Sequence, residues 1–121
     1  RVGRAIRQTI GHPVHRLIVS SMLRTRETAS YLASSLELAP EIVHDFREWH
    51  LGEWEGKTFQ EFGHLLLGDG EPQGGEARAE FYARVDQAWK SVHCDRNPYV
   101  IVSHGAVWLA MQDLLKIPRF K

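Results

Sequence analysis

The segment with the plainest chemical content is Val102-Ser103-His104-Gly105, where a histidine closes the apolar run Tyr99-Val100-Ile101-Val102 and a glycine opens a stretch of helical spacing. In open α/β sheets, ligands gather at the carboxyl ends of the strands. A helix starting there presents unpaired backbone N–H groups and a partial positive charge, which suits an anion such as phosphate. Ser20-Ser21-Met22-Leu23-Arg24 has the same form, because the apolar run Leu17-Ile18-Val19 leads into a helical pattern that begins near Arg24. A guanidinium keeps its charge at every relevant pH and can match two phosphate oxygens at once. Two plainer readings compete. His104 could merely cap its helix or fill a gap, and Arg24 could be a surface arginine paired with Glu27 or Thr28, a description that fits Arg26 better.

The elements that must carry these residues can be read from periodicity. Ala5, Ile6 and Ile10 give a weak helical spacing that Gly11 and Pro13 interrupt, and Leu17 to Val19 suits a buried strand. Ala29, Leu32, Ala33 and Leu36 recur at helical spacing, and Glu41-Ile42-Val43-His44 predicts a second short strand after Pro40. Phe46 to Gly56 has no clean period, which marks an irregular segment of the kind that carries function. Gly68 to Gly75 is the strongest loop signal. Beyond it, Phe81, Val85, Ala88, Trp89 and Val92 form the stripe of a long helix, with Arg84, Asp86 and Lys90 expected on the wet side. Tyr99 to Val102 reads as a buried strand and Gly105 to Leu115 as an apolar helix, with Trp89 and Trp108 expected to fill the core. Strands alternating with helices imply an α/β layered fold with a mostly parallel sheet.

Composition excludes several classes. At 121 residues the chain allows one compact domain, and its 15 basic and 15 acidic residues are interspersed, so no global field steers it toward nucleic acid or an anionic membrane. No apolar run reaches the roughly 20 residues that span a bilayer. Cys94, the only cysteine, cannot form an intrachain disulfide, which fits a reducing compartment and makes the cytoplasm the expected location. His12, His15, His44, His50, His64 and His93 lack the paired cysteines or H-E-x-x-H helix of a zinc site, and no metal is expected. Neither a G-x-S-x-G elbow nor a phosphate-binding glycine loop of the P-loop or dinucleotide type occurs.

Read in order, four segments resemble the histidine phosphatase superfamily, the phosphoglycerate-mutase-like group, closest in motif to its small bacterial phosphatases. Ser20 to Ala29 is similar to S-P-L-x-R-A-x-x-T-A, and Phe46 to Gly56 to L-x-E-x-x-x-G-x-W-E-G. Pro72 to Val85 is similar to P-x-G-G-E-S followed by R-V, and Val102 to Gly105 to V-S-H-G. The resemblance implies a three-layer phosphoglycerate-mutase-like fold with helices flanking a mostly parallel sheet. It implies that Arg24 binds phosphate, that Glu48 is the general acid, that His104 is the second active-site histidine, and that Ser103 and the backbone of Gly105 line the pocket. Trp54, Glu55 and Gly56 take structural roles, and Trp49 and Trp54 flank the acid. The implied mechanism is attack of a histidine nitrogen on phosphorus, giving a phosphohistidine that water hydrolyses. Glu48 would protonate the leaving oxygen, while Arg24 and a protonated His104 offset charge on the equatorial oxygens. No cofactor is implied, and the partner is phosphate or a small phosphorylated substrate.

The chain departs from that pattern at one decisive place. The nucleophile belongs to an R-H-G motif on the first strand, and no R-H-G occurs among the 121 residues. His12 and His15 lie in a turn after the Ala5 to Ile10 helix and cannot replace it by position. The expectation is a single partial domain over residues 1–121 with its N-terminal strand missing and the nucleophilic histidine upstream. Ala77 and Ser21 stand where the motifs carry Ser and Pro, and neither change removes a catalytic group. The short stretch from Gly56 to Pro72 favours a phosphatase over a cofactor-dependent phosphoglycerate mutase, and leaves the substrate open. The rival to a truncated view of a working enzyme is an inactive pseudophosphatase that binds phosphorylated ligands or a protein partner. Loss of a central strand would expose sheet edges, for which a homodimer across the gap is a remedy.

Overall fold

The computed structural model describes residues 13 to 118. Strand β1 (Arg16–Val19) is followed by helix α1 (Leu23–Leu36), strand β2 (Pro40–Ile42), two 3-10 turns (His44–Phe46 and Gly52–Trp54), α2 (Phe59–Leu67), α3 (Arg78–Val92), β3 (Tyr99–Val102) and α4 (Gly105–Leu114). The three strands form a parallel sheet in the order β2-β1-β3, with Val19 opposite both Ile42 and Val102. Parallel neighbours need long crossovers, and helices supply them here. The α/β reading with a parallel, helix-flanked sheet holds. The helix expected over Ala5 to Ile10, and His12, lie outside the described residues.

Side chains on a strand alternate between faces, and the core divides accordingly. Leu17 and Val19 point to one face, where they join Ala29, Leu32 and Leu36 of α1, with Val100 and Val102 packed beside them. Ile18 points to the other, against Phe81, Val85, Ala88 and Val92 of α3 and Ala106, Val107 and Ala110 of α4, with Tyr99 and Ile101 at its margin. The result is three layers, α1, sheet, then α3 with α4. Leu17, Ile18 and Val19 are fully buried, as a strand covered on both faces requires. β3 is different. It ends the sheet among the described residues, and all four of its residues are only half-buried.

Three expectations need correction, and one helix adds to the reading. β2 runs Pro40–Ile42 rather than Glu41 to His44, because Val43 makes a last bond to Val19 O (2.8 Å) and His44 then turns away, its Nδ1 bonded to Ser21 Oγ at 2.7 Å. Helix α2 is additional to the elements that periodicity predicts, and Thr58 and Glu61 form a complete capping box at its start. Trp108 does not fill the core: it is 52% exposed and lines a cavity with Tyr99 and Ile101 of β3. Arg84 is not on the wet side of α3, since its side chain is only 9% exposed. Among the described residues no helix is long and apolar enough to cross a membrane.

The irregular segment after β2 and the glycine-rich loop before α3 cross with their backbones in contact. Glu53 N donates to Gln73 O and Glu76 N to His50 O, both at 2.8 Å. Gly52 has φ +52°, and a Cβ there would lie 2.2 Å from Gln73 O; one on Gly75 would lie 2.4 Å from His50 O. Only glycine fits either place. Gly75→Ala is therefore expected to lower stability by about 1–3 kcal/mol, the usual cost of overpacking. Urea denaturation of the two proteins checks this, and an unchanged midpoint would show that the crossing is looser than described.

Candidate active site

The parallel register of β1 and β3 brings Ser20 and His104 to the same end of the sheet, where Ser20 N donates to Val102 O at 3.0 Å. Ser20 is fully buried, and its hydroxyl lies 2.8 Å from His104 Nε2. Arg24, in the first turn of α1, reaches across and places Nη2 3.1 Å from His104 Nδ1. Because a guanidinium can only donate, Nδ1 must accept, and the ring proton sits on Nε2, which donates to Ser20 Oγ. The imidazole is therefore held as one neutral tautomer. No capping side chain starts α1; instead Met22 N donates to Ser20 Oγ (3.3 Å) and the buried Thr25 hydroxyl to Ser20 O (3.1 Å) and Met22 O (2.8 Å). The strand end and the helix start are thus one hydrogen-bonded unit.

Burial, together with the positive charges of Arg24 and Arg84, holds the His104 pKa down at about 4. With these neighbours the ring is neutral near neutral pH. Burial contributes most, and the Arg24 guanidinium facing the ring adds to it.

Glu48 comes from the irregular segment between the two 3-10 turns. One carboxyl oxygen accepts from Trp49 N (3.0 Å) and the other from Ala106 N (3.5 Å) in the first turn of α4. Ser103 Oγ donates to Phe46 O at 2.7 Å and ties this segment to the end of β3. Behind it, Trp49 is buried, stacked on Phe81 with ring centroids 5.0 Å apart, and edge-on to Trp54 at 5.7 Å. Nearby, the Arg84 guanidinium donates to both carboxylate oxygens of Glu76 and holds that carboxyl below its usual pKa. Arg84 and Glu76 both lie within segments similar to the family's motifs, yet the helical stripe placed the arginine in water. The signal for a buried ion pair was an acid and an arginine in one motif, and no pattern of single residues resolves that.

Two cavities flank these groups. One, of about 950 Å³, is lined by Arg24, Glu48, His44, Arg47, His50 and Trp54 among others. The second, of about 540 Å³, runs beside β3 and α4, past Tyr99, Ile101, Ser103, His104, Gly105 and Trp108. Arg24 and Glu48 thus face one cavity and Ser103, His104 and Gly105 the other, joined by the Arg24 to His104 contact. An anion that engaged all of them would sit at that junction. Among the described residues, no group of three or more His, Cys, Asp and Glu side chains is placed to hold a metal ion.

Comparison with known proteins is consistent with this geometry. The family model of the histidine phosphatase superfamily (branch 1) matches residues 1–119. A glucosyl-3-phosphoglycerate phosphatase of Mycobacterium tuberculosis is 30% identical over 135 aligned positions, covering 94% of this chain and 60% of the relative. The chain therefore spans about 60% of the length of that curated relative. Among solved structures, the mycobacterial glucosyl-3-phosphoglycerate phosphatase in complex with inorganic phosphate superposes with a TM-score of 0.68 at 26% identity, covering 97% of this chain and 66% of that one. Bacillus stearothermophilus YhfR superposes with a TM-score of 0.76 at 25% identity, covering 97% and 63%.

The depressed His104 pKa has a consequence for stability. Unfolding returns the ring to its ordinary value of 6.5, so between about 4 and 6.5 the unfolded chain binds the proton that the folded one refuses. Stability is thus expected to rise with pH across that window, by at most about 1.4 kcal/mol per pH unit from this group. Urea midpoints measured across the window, with and without His104→Asn, check it. A slope that the substitution leaves unchanged would mean that His104 titrates normally.

Proposed function

The chain belongs to the histidine phosphatase superfamily (branch 1), and on that premise we propose that its protein is a phosphoric monoester hydrolase acting through a phosphohistidine. The observation that carries the reading is the meeting of Arg24 and His104 at the shared end of β1 and β3, with the Glu48 carboxylate set at the start of α4. A phosphoryl group at this junction takes the Arg24 fork, which releases Nδ1 of His104. The added negative charge then favours the protonated ring, giving two cationic donors for the equatorial oxygens.

The nucleophilic histidine is assigned to an R-H-G segment upstream of Arg1, on a strand lying along β3. The half-buried β3 and the apolar slot beside it support that place, since parallel sheets are usually covered and edge strands usually blunted by charge. In the first step the histidine nitrogen bonds to phosphorus, the ester P–O bond breaks, and Glu48 gives its proton to the leaving oxygen. In the second, water attacks phosphorus, Glu48 takes its proton, the P–N bond breaks, and phosphate leaves with the acid restored. Ser103 and Gly105 complete the wall around the phosphoryl group.

Hydrolysis rather than phosphoryl transfer is favoured by the short segment between Gly56 and Pro72, which holds little more than α2, and by the phosphatase character of the named relatives. The substrate is a small phosphomonoester, and glucosyl-3-phosphoglycerate, named for the mycobacterial relative, is a reasonable first trial. The test compares p-nitrophenyl phosphate hydrolysis by the 121-residue chain, by the chain extended upstream, and by His104→Ala and Glu48→Gln forms of the extended protein. Turnover by the extended protein alone is expected, with each substitution lowering kcat/KM about 100-fold or more. Absence of turnover from both lengths, with phosphate still raising the melting temperature through Arg24, would replace the enzyme with a phosphate-binding pseudophosphatase.

A further inference from the structure

Arg84 lies outside the two cavities, yet its guanidinium is saturated by groups that surround Glu48. Nε and Nη2 meet the two carboxylate oxygens of Glu76 at 2.9 and 2.7 Å. Nη1 donates to Asp45 O at 2.7 Å and Arg47 O at 2.9 Å, and Nη2 reaches Glu48 O at 3.4 Å. We propose that Arg84, oriented by Glu76, is a positioning residue that fixes the Glu48 carboxyl for proton transfer to the leaving oxygen. The inference rests on the reading of Glu48 as general acid.

Three facts carry it. Three converging carbonyls leave a pocket of partial negative charge, and only a planar cation with several donors satisfies it; a lysine ammonium cannot reproduce that fork. The pair is nearly dry, with side chains 9% and 15% exposed for Arg84 and Glu76. Buried ion pairs seldom stabilise a fold more than apolar residues of similar volume would, which leaves geometry as the pair's contribution here. Finally, Glu76 grips the far side of the same segment with its own backbone, donating from N to His50 O and accepting from Trp49 Nε1, each at 2.8 Å. The backbone on both sides of Glu48 is therefore tied to one ion pair. A general acid displaced by about 1 Å loses much of its effect.

A positioning role differs from a structural one in its dependence on the leaving group. Phenolate is a poor leaving group that needs a proton from the acid, whereas dinitrophenolate leaves readily without one. The experiment measures kcat/KM of the full-length protein for phenyl phosphate and for dinitrophenyl phosphate, in Arg84→Lys, Glu76→Gln and Glu48→Gln forms. Arg84→Lys is expected to lose about 10- to 100-fold on phenyl phosphate and less than about 3-fold on dinitrophenyl phosphate. Glu48→Gln should show the same contrast, larger. Should Arg84→Lys not fold, Glu76→Gln, which keeps the volume and one acceptor, carries the test with the same contrast expected. Equal losses on both substrates in the Arg84 and Glu76 forms, beside a steep contrast in Glu48→Gln, overturn the positioning role alone. A Glu48→Gln form without contrast, or an unsubstituted protein without turnover, overturns the general-acid reading and this inference with it.

Discussion

A guanidinium facing a neutral imidazole across the end of a parallel sheet is the contact on which the rest of the site depends. Arg24 and His104 are 80 residues apart in the chain, and only the pairing of β1 with β3 brings them within 3.1 Å. The arrangement is unfavourable to a proton on the ring and favourable to an anion. A single cation whose fork rests on a neutral ring nitrogen gains more from an anion, which offers it full negative charge. Ser20 makes this possible: buried and bonded to Nε2, it fixes the tautomer that turns Nδ1 toward Arg24.

Glu48 depends on a second, separate device. Glu48 sits in a segment with no regular hydrogen-bond ladder, so its backbone groups must find partners elsewhere. Ser103, Glu76 and Arg84 provide them, and each is anchored to a different element: the end of β3, the loop before α3, and α3 itself. Trp49 packed on Phe81 seals the inner side. The irregularity that made this stretch unreadable by periodicity is what lets a carboxylate reach the start of α4.

The layers were legible in the sequence, because strand alternation and helical stripes are set by local spacing. Leu17 to Val19, Tyr99 to Val102, and the helices from Leu23, Arg78 and Gly105 lie where their apolar patterns place them. His104 and Arg24 could be singled out because each follows an apolar strand and opens a helix. Arg84 could not: it falls at the margin of the apolar stripe, and its burial comes from the irregular segment folding over α3. Trp108 misled for the opposite reason. An indole on an apolar helix reads as core, whereas here it borders a slot that nothing among the described residues fills. The state of His104 was equally out of reach, since it depends on burial and two distant arginines.

Calorimetric titration of the protein with inorganic phosphate, beside its Arg24→Met form, tests most directly whether the Arg24 and His104 junction is a phosphate site. Binding that releases no bound anion, takes up a proton near neutral pH, and weakens at least about 10-fold in the variant is the expected result, the proton being the one His104 gains. Binding of equal strength in both proteins, or none in either, would contradict the account.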